Sequence, residues 1–310
     1  MTLNVLFAGR PDRWAEYQPV LTDALSEAGL EVSLDNQMDA GQVDYIIYAP
    51  NGPVQDFTAY TRAKAVLSLW AGVEKVVGNA TLQIPLTRMV DTGLERGMVE
   101  WVTGHVLRHH LGMDAHIVNP DHKWQVTVPP LARDRAVTIL GLGALGQACA
   151  AALTSLEFSV TGWSRTAKAV PGVTCLSGER GLTEALQRAE ILVLLLPFTS
   201  ETENVINAET LALLPQGAVL INPGRGPLID DQALLDALDS GQLSHATLDV
   251  FRVEPLPAGH PYWHHPHVTV TPHIAAETRA SSAAQVIAEN IRRNEAGEPM
   301  LYLVDRMAGY

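Results

Sequence analysis

Cysteine is nearly absent from this sequence: there are two in 310 residues, Cys149 and Cys175, far apart and in no C-x-x-C arrangement. That gives no reason to expect a disulfide framework or a thiolate zinc site, and it makes a reduced, cytoplasmic setting the default. Positive charge is also scarce, with 21 Lys and Arg against 34 Asp and Glu and a formal charge of −13. Such a chain repels nucleic acid and anionic lipid at long range, so neither is an expected partner, and any anionic ligand must be held by locally placed donors. No apolar run reaches the roughly 20 residues of a membrane-spanning helix. Internal repeats and low-complexity tracts are missing too. Met1 to Arg10 alternates apolar and small residues without a basic stretch leading into a long apolar one, which reads as a first strand rather than a signal peptide. What is present is a 47% hydrophobic chain of a length that suits two domains, each with its own core.

The hydrophobic pattern alternates strand and helix periods throughout, which defines an α/β class. Strands are expected at Asn4–Ala8, Tyr45–Tyr48 and Ala65–Trp70, with a helix over Trp14–Ala28 closed by Gly29, making a small α/β domain up to about Val90. Met98–Met113 suits a long helix, and the Pro-containing segment Asn119–Arg135 a connector. A second series follows at Val137–Leu140, Ser159–Trp163, Ile191–Leu196, Ala218–Ile221, Thr247–Phe251 and Val268–Val270. Six strands, several with near-continuous apolar runs, predict a doubly wound parallel sheet covered on both faces. A last helix over Ser281–Ala296 can return the chain to the first domain. The expected division is thus 1–96 with 282–310 as one domain and 97–281 as the other.

Within the second series, Val137–Leu140 runs straight into Gly141-Leu142-Gly143-Ala144-Leu145-Gly146 and then a helix of small residues, Gln147–Leu156. This is the fingerprint of a Rossmann dinucleotide site, and its placement is what makes it informative. Gly141 permits the tight turn, Gly143 lets the backbone approach a pyrophosphate, and Gly146 lets helix and strand pack closely. The turn around Ala144 and Leu145 opens the helix whose N-terminus faces the phosphates. At the end of the second strand, where NAD enzymes place an acid for the ribose 2′-hydroxyl, the chain reads Trp163-Ser164-Arg165-Thr166, with Lys168 close by. A hydroxyl and a guanidinium suit a 2′-phosphate that an acid would repel, so NADP(H) is expected in preference to NAD(H), with NAD(H) usable.

Three further strand ends carry polar residues in apolar surroundings: Arg225 in Ile221-Asn222-Pro223-Gly224-Arg225-Gly226, Glu254 after Leu248-Asp249-Val250-Phe251, and His273 in Thr271-Pro272-His273-Ile274-Ala275. A proton donor, a carboxylate to orient it and a cation for an acid group are what reduction of a 2-oxo acid needs. Together with Leu196-Pro197-Phe198-Thr199-Ser200-Glu201-Thr202, these strings resemble the D-isomer-specific 2-hydroxyacid dehydrogenases over nearly the whole chain. The Trp163–Thr166 segment, Pro85–Gly93 and the C-terminal Val304–Tyr310 (V-D-R-M-A-G-Y) are more similar to the glyoxylate/hydroxypyruvate reductase A branch.

The resemblance implies a smaller flavodoxin-like α/β domain formed by both termini, beside the Rossmann domain. It implies that His273 is the general acid/base, that Glu254 favours its protonated form, and that Arg225 orients the 2-oxo acid. It also implies that backbone N–H groups of Trp70-Ala71-Gly72-Val73 grip the substrate carboxylate. Asp249, Pro223 and Ala275 would lie beside the nicotinamide, and Pro197 and Thr202 along the cofactor. By the same likeness the enzyme is a homodimer acting on glyoxylate and hydroxypyruvate, and Trp124 could reach a partner's site.

No metal is expected. His105 and His109 lack the Glu of H-E-x-x-H, and His264, His265 and His267 lack a carboxylate or thiolate at ligand spacing. Trp14, Trp101, Trp124 and Trp263 are read as packing or interface residues. Two rival readings stay open. One is an NAD-preferring dehydrogenase of a larger or phosphorylated acid; the other is a dinucleotide-sensing binding protein that does no chemistry.

Overall fold

The computed structural model describes residues 2–306 and residue 309. Met307, Ala308 and Tyr310, part of the C-terminal string noted above, lie outside the described residues. The chain divides into two compact units: the residues up to Leu94 together with those from Glu277 onward, and Glu95–Ala276.

In the first unit the elements run β1 (Leu3–Ala8), α1 (Trp14–Glu27), β2 (Val32–Asp35), β3 (Tyr45–Tyr48), β4 (Ala65–Ser68) and β5 (Leu86–Thr87). The strands form a parallel sheet in the order β2-β1-β3-β4-β5, a flavodoxin-like arrangement. Every residue of β3 and β4 is buried, which is why both read as continuous apolar runs. β2 went unread because its burial alternates with polar Ser33 and Asp35 at the sheet edge, and β5 because it is two residues long. Helix α1 buries Tyr17, Leu21, Ala24 and Leu25, spaced to share one face.

The second unit begins within α2 (Thr92–His110), whose first turn is held by Asp91: its Oδ2 accepts from the N–H groups of Gly93 and Leu94. That cap starts the helix earlier than the expected Met98. After α3 (Asp114–Ile117), residues 122–131 form no helix or strand. The remaining elements are β6 (Ala136–Leu140), α4 (Ala144–Ser155), β7 (Ser159–Ser164), β8 (Thr174–Ser177), α5 (Gly178–Gln187), β9 (Ile191–Leu194), α6 (Ala208–Leu211), β10 (Ala218–Asn222), α7 (Asp231–Asp239), β11 (Leu243–Leu248) and β12 (Val268–Val270).

These seven strands form one parallel sheet ordered β12-β11-β10-β9-β6-β7-β8, the doubly wound Rossmann order with its switch point between β6 and β9. Six were expected. The seventh, β8, is a half-exposed edge strand, Thr-Cys-Leu-Ser, too short and polar to stand out. β11 starts four residues before the expected Thr247, since Ser244 and His245 interrupt its apolar pattern, and it ends at Leu248, so Asp249 opens the following loop. The last helix, α8 (Ala280–Glu295), belongs to the first unit and packs on α1 through Ala280, Ala283, Ala284, Ile287 and Ile291. Small side chains on that face let the two helix backbones approach closely.

Candidate active site

Every strand of the second unit that carries a predicted site residue delivers it at its carboxyl end, so those residues line one edge of the sheet. Strand order ranks them along that edge: His273 after β12, Asp249 and Glu254 after β11, Arg225 after β10, Pro197 and Thr202 after β9, the glycine turn after β6, and Ser164 to Lys168 at and after β7. From β7 to β10 is three strand spacings, roughly 14 Å. An extended ligand lying across the switch point can therefore reach from the arginine at one end to the polar trio at the other.

The glycine turn has the shape a pyrophosphate requires. Gly141 holds φ +109°, and a Cβ there would lie 2.5 Å from the carbonyl oxygen of Leu195. A Cβ on Gly146 would come within 1.8 Å of the Gly141 oxygen, so this glycine is demanded by helix packing alone. Gly143 is different, because a Cβ there would meet nothing within 4 Å. Space is left beside the first turn of α4, whose N-terminus carries no side-chain cap. Its uncapped amide donors, at Ala144 and Leu145, fit a phosphate.

At the end of β7, Ser164 is buried and its Oγ donates to the Thr166 carbonyl at 2.8 Å. Arg165 is exposed and its Nη1 donates to Glu201 Oε2 at 3.0 Å. Thr202 closes the neighbouring loop, donating from Oγ1 to the Pro197 carbonyl at 2.7 Å and accepting from the Thr199 N–H at 2.8 Å.

At the other end, Asn222 ties the arginine loop: its Oδ1 accepts from the Gly224 N–H and its Nδ2 donates to the Arg225 carbonyl. Arg225 is half-buried and donates from Nη1 to the Gly224 carbonyl at 2.7 Å. Asp249 is completely buried and organises the histidine loop rather than facing outward. Its Oδ1 accepts from Thr271 Oγ1 at 2.5 Å and the Ile274 N–H at 3.0 Å, and its Oδ2 accepts from the Ala275 N–H at 2.8 Å. The Asp249 carbonyl also takes the His273 N–H. So anchored, His273 sits at φ +55°, a left-handed conformation that a non-glycine residue adopts only when its surroundings enforce it.

The His273 ring stands on Glu254: Nδ1 and Oε2 are 2.8 Å apart, while Glu254 Oε1 accepts from the Phe251 N–H at 2.9 Å. Desolvation pushes the Glu254 carboxyl up, but the hydrogen bonds from His273 and Phe251 and the charges of His273 and Arg225 outweigh it and hold it below the usual carboxylate range. An anionic partner on Nδ1 fixes the tautomer and leaves Nε2 as the outward proton carrier; among the described residues Nε2 has no hydrogen-bond partner.

In the first unit, Trp70 to Val73 follow β4. Trp70 is tied down by its N–H to Ser68 Oγ and its carbonyl to the Met89 N–H. The N–H groups of Ala71, Gly72 and Val73 donate to no acceptor among the described residues. Sequence reasoning missed one residue nearby. Arg88, within Pro85–Gly93, has its guanidinium pKa lowered by burial and no paired carboxylate among the described residues. The available signal was a lone cation inside the apolar run Leu86–Val90. Among the described residues, no group of three or more His, Cys, Asp or Glu gathers as metal ligands, and no helix is long and apolar enough to cross a membrane.

Fold and edge together define a dinucleotide-binding α/β protein with a histidine–carboxylate pair and an arginine set beside the nucleotide turn. Residues 104–275 match the model of the D-isomer specific 2-hydroxyacid dehydrogenase NAD binding domain. The chain is 39% identical to glyoxylate/hydroxypyruvate reductase A of Serratia proteamaculans over 257 residues, 80% of this chain and 82% of the relative. A D-isomer specific 2-hydroxyacid dehydrogenase of Xanthobacter autotrophicus, crystallised with NADPH and MES, superposes with a TM-score of 0.93 at 39% identity over the whole of both chains. The NADPH-dependent glyoxylate/hydroxypyruvate reductase of Sinorhizobium meliloti, crystallised with NADP and sulfate, gives 0.85 at 34% identity over 100% of this chain and 99% of that one. The chain belongs to the D-isomer specific 2-hydroxyacid dehydrogenase family and falls with its glyoxylate/hydroxypyruvate reductase A branch.

Proposed function

We propose that this protein reduces small 2-oxo acids with NADPH, converting glyoxylate to glycolate and hydroxypyruvate to glycerate. The observation that carries the reading is the His273–Glu254 pair at 2.8 Å, on the same sheet edge as Arg225 and the glycine turn. Relatives named as glyoxylate/hydroxypyruvate reductases, one of them crystallised with NADP, support the substrate class and the cofactor.

Gly141, Gly143 and Gly146 with the amides of Ala144 and Leu145 would hold the pyrophosphate, Arg165 with Ser164, Thr166 and Lys168 the 2′-phosphate, and Pro197, Thr202, Pro223 and Ala275 the rest of the cofactor. Bound NADPH supplies a hydride to the carbonyl carbon. His273 gives the Nε2 proton to the carbonyl oxygen as its π electrons withdraw onto it, and then recovers a proton from solvent. Glu254 holds the His273 ring in place through Nδ1. Arg225 binds the acid group of the substrate through its planar fork. The N–H groups of Ala71, Gly72 and Val73, which donate to no acceptor among the described residues, are the first unit's candidates for gripping a carboxylate. Asp249 acts at one remove, by fixing the loop that carries His273.

We further infer a homodimer. Residues 122–131 form no helix or strand, and they expose Trp124, Val126, Val128 and Leu131, with Trp124 at 96%. Alternating apolar side chains in full solvent suit burial against a second copy. A cytoplasmic setting accords with two free thiols.

The direct test mixes pure protein with NADPH or NADH and a panel of 2-oxo acids and follows absorbance of the reduced cofactor. Turnover of glyoxylate and hydroxypyruvate with NADPH is expected. No turnover of any acid with either cofactor overturns the reading.

A further inference from the structure

The loops after β7 and β9 flank the glycine turn, because β6 lies between those two strands in the sheet. Across that turn, Arg165 Nη1 meets Glu201 Oε2 at 3.0 Å. Glu201 is held out by a compact turn in which the Thr202 and Glu203 N–H groups both donate to the Thr199 carbonyl and Thr202 Oγ1 donates to Pro197. The guanidinium placed for a 2′-phosphate is thus already engaged by a carboxylate. Both side chains remain well exposed, at 55% and 68%, so the pair is weak enough to exchange.

We propose that Glu201 is a specificity-determining residue: it competes with the 2′-phosphate for Arg165 and thereby limits the preference for NADPH over NADH. This rests on the proposed placement of the 2′-phosphate at Arg165. Binding of a 2′-phosphate must displace the carboxylate, and the displaced anion then stays close to a ligand of like charge. NADH carries only a hydroxyl at that position. It leaves the Arg165–Glu201 pair intact, and a carboxylate next to a ribose 2′-hydroxyl is an acceptor of the type NAD enzymes use. Glu201 therefore disfavours NADPH without disfavouring NADH.

Calorimetric titration of the full-length protein with adenosine 2′,5′-bisphosphate, adenosine 5′-monophosphate and NADH tests this, for wild type and for Glu201→Gln, Arg165→Ala and the double variant. Glu201→Gln should tighten the bisphosphate about two- to five-fold, the factor an exposed ion pair commands, and should leave NADH unchanged or weaker. The gain should shrink as salt is raised and vanish in the Arg165→Ala background. An unchanged or weakened bisphosphate affinity in Glu201→Gln overturns the proposal, the weaker result making Glu201 a support for Arg165 instead of a competitor. A wild type that binds bisphosphate and monophosphate equally removes the 2′-phosphate reading itself, and the proposal with it. A wild type that prefers the bisphosphate, with Glu201→Gln inert, removes the proposal alone.

Discussion

Gly143 and Gly146 lie three residues apart, yet alanine should fail at each for a different reason. At Gly146 the added methyl would sit 1.8 Å from the Gly141 oxygen, so α4 must move off the strand. Gly146→Ala should lower stability by about 1–3 kcal/mol, as overpacking does, and a thermal melt without cofactor will show it. At Gly143 the methyl meets only open space. Gly143→Ala should melt like wild type but bind NADPH at least tenfold more weakly, and equal affinity would remove the pyrophosphate from that turn. The catalytic pair separates similarly. His273→Ala should lose about 10²–10⁴-fold in kcat, the usual worth of a positioned acid, with little change in NADPH affinity. Glu254 is held below the usual carboxylate range, so it is ionised throughout the neutral region and its pairing with His273 is lost only as pH falls through that lowered value. Glu254→Gln removes the anion from Nδ1 and should lower kcat with little change in NADPH affinity. An unchanged kcat would leave Glu254 without a part in positioning His273.

Between elements, α2 and β11 are joined by a histidine contact that the catalytic reading leaves unused. His109 Nε2 lies 2.8 Å from Thr247 Oγ1, His245 Nε2 lies 2.8 Å from Thr269 Oγ1, and the two rings are 5.0 Å apart. Burial, with the neighbouring imidazole and Arg108 adding to it, pushes His109 down to about 3, and burial with Arg108 pushes His245 down to about 4, against opposition from Asp114. His105, His265 and His267 also face this group. Both pKa values are depressed on folding, so the unfolded chain takes up protons first, and stability falls as pH drops from about 6.5 toward 4. Denaturant melts at pH 7 and pH 5 should show that loss, and His109→Gln should reduce it; an equal loss in the variant would place the acid sensitivity elsewhere. Sequence could show both histidines but not their meeting, since 136 positions separate them. The same limit explains the rest of what was and was not legible. β3, β4, β6 and β9 were readable because burial on both faces writes a continuous apolar run, and the glycine turn because its geometry admits few other residues. β2 and β8 sit at sheet edges, where polar residues are tolerated and the pattern dilutes. Arg225, Glu254 and His273 were visible as strand-end polar residues, whereas the inward turn of Asp249 and the grip of Glu201 on Arg165 depend on which loops become neighbours.

For the molecule as a whole, charge and the exposed 122–131 segment pull in opposite directions. Two chains of formal charge −13 repel one another, and screening reduces that repulsion over about 10 Å at 0.1 M salt. Apolar side chains gain from association at any ionic strength, and each of Trp124, Val126 and Val128 stands almost entirely in water when the chain is alone. If these residues close the dimer, light scattering should report twice the monomer mass, and the dissociation constant should fall as salt rises, because repulsion is screened while apolar burial is not. Val126→Asp with Val128→Asp should yield a folded monomer, since both side chains are more than three-quarters exposed in the single chain. Far-UV circular dichroism of that variant serves as the folding control. A dimer that survives the double substitution would place the interface elsewhere, and a monomeric wild type at every salt concentration would leave the apolar segment without a second copy to cover it. A dimer that weakens with salt would instead mean that cross-chain ion pairs, rather than this segment, hold the two copies together.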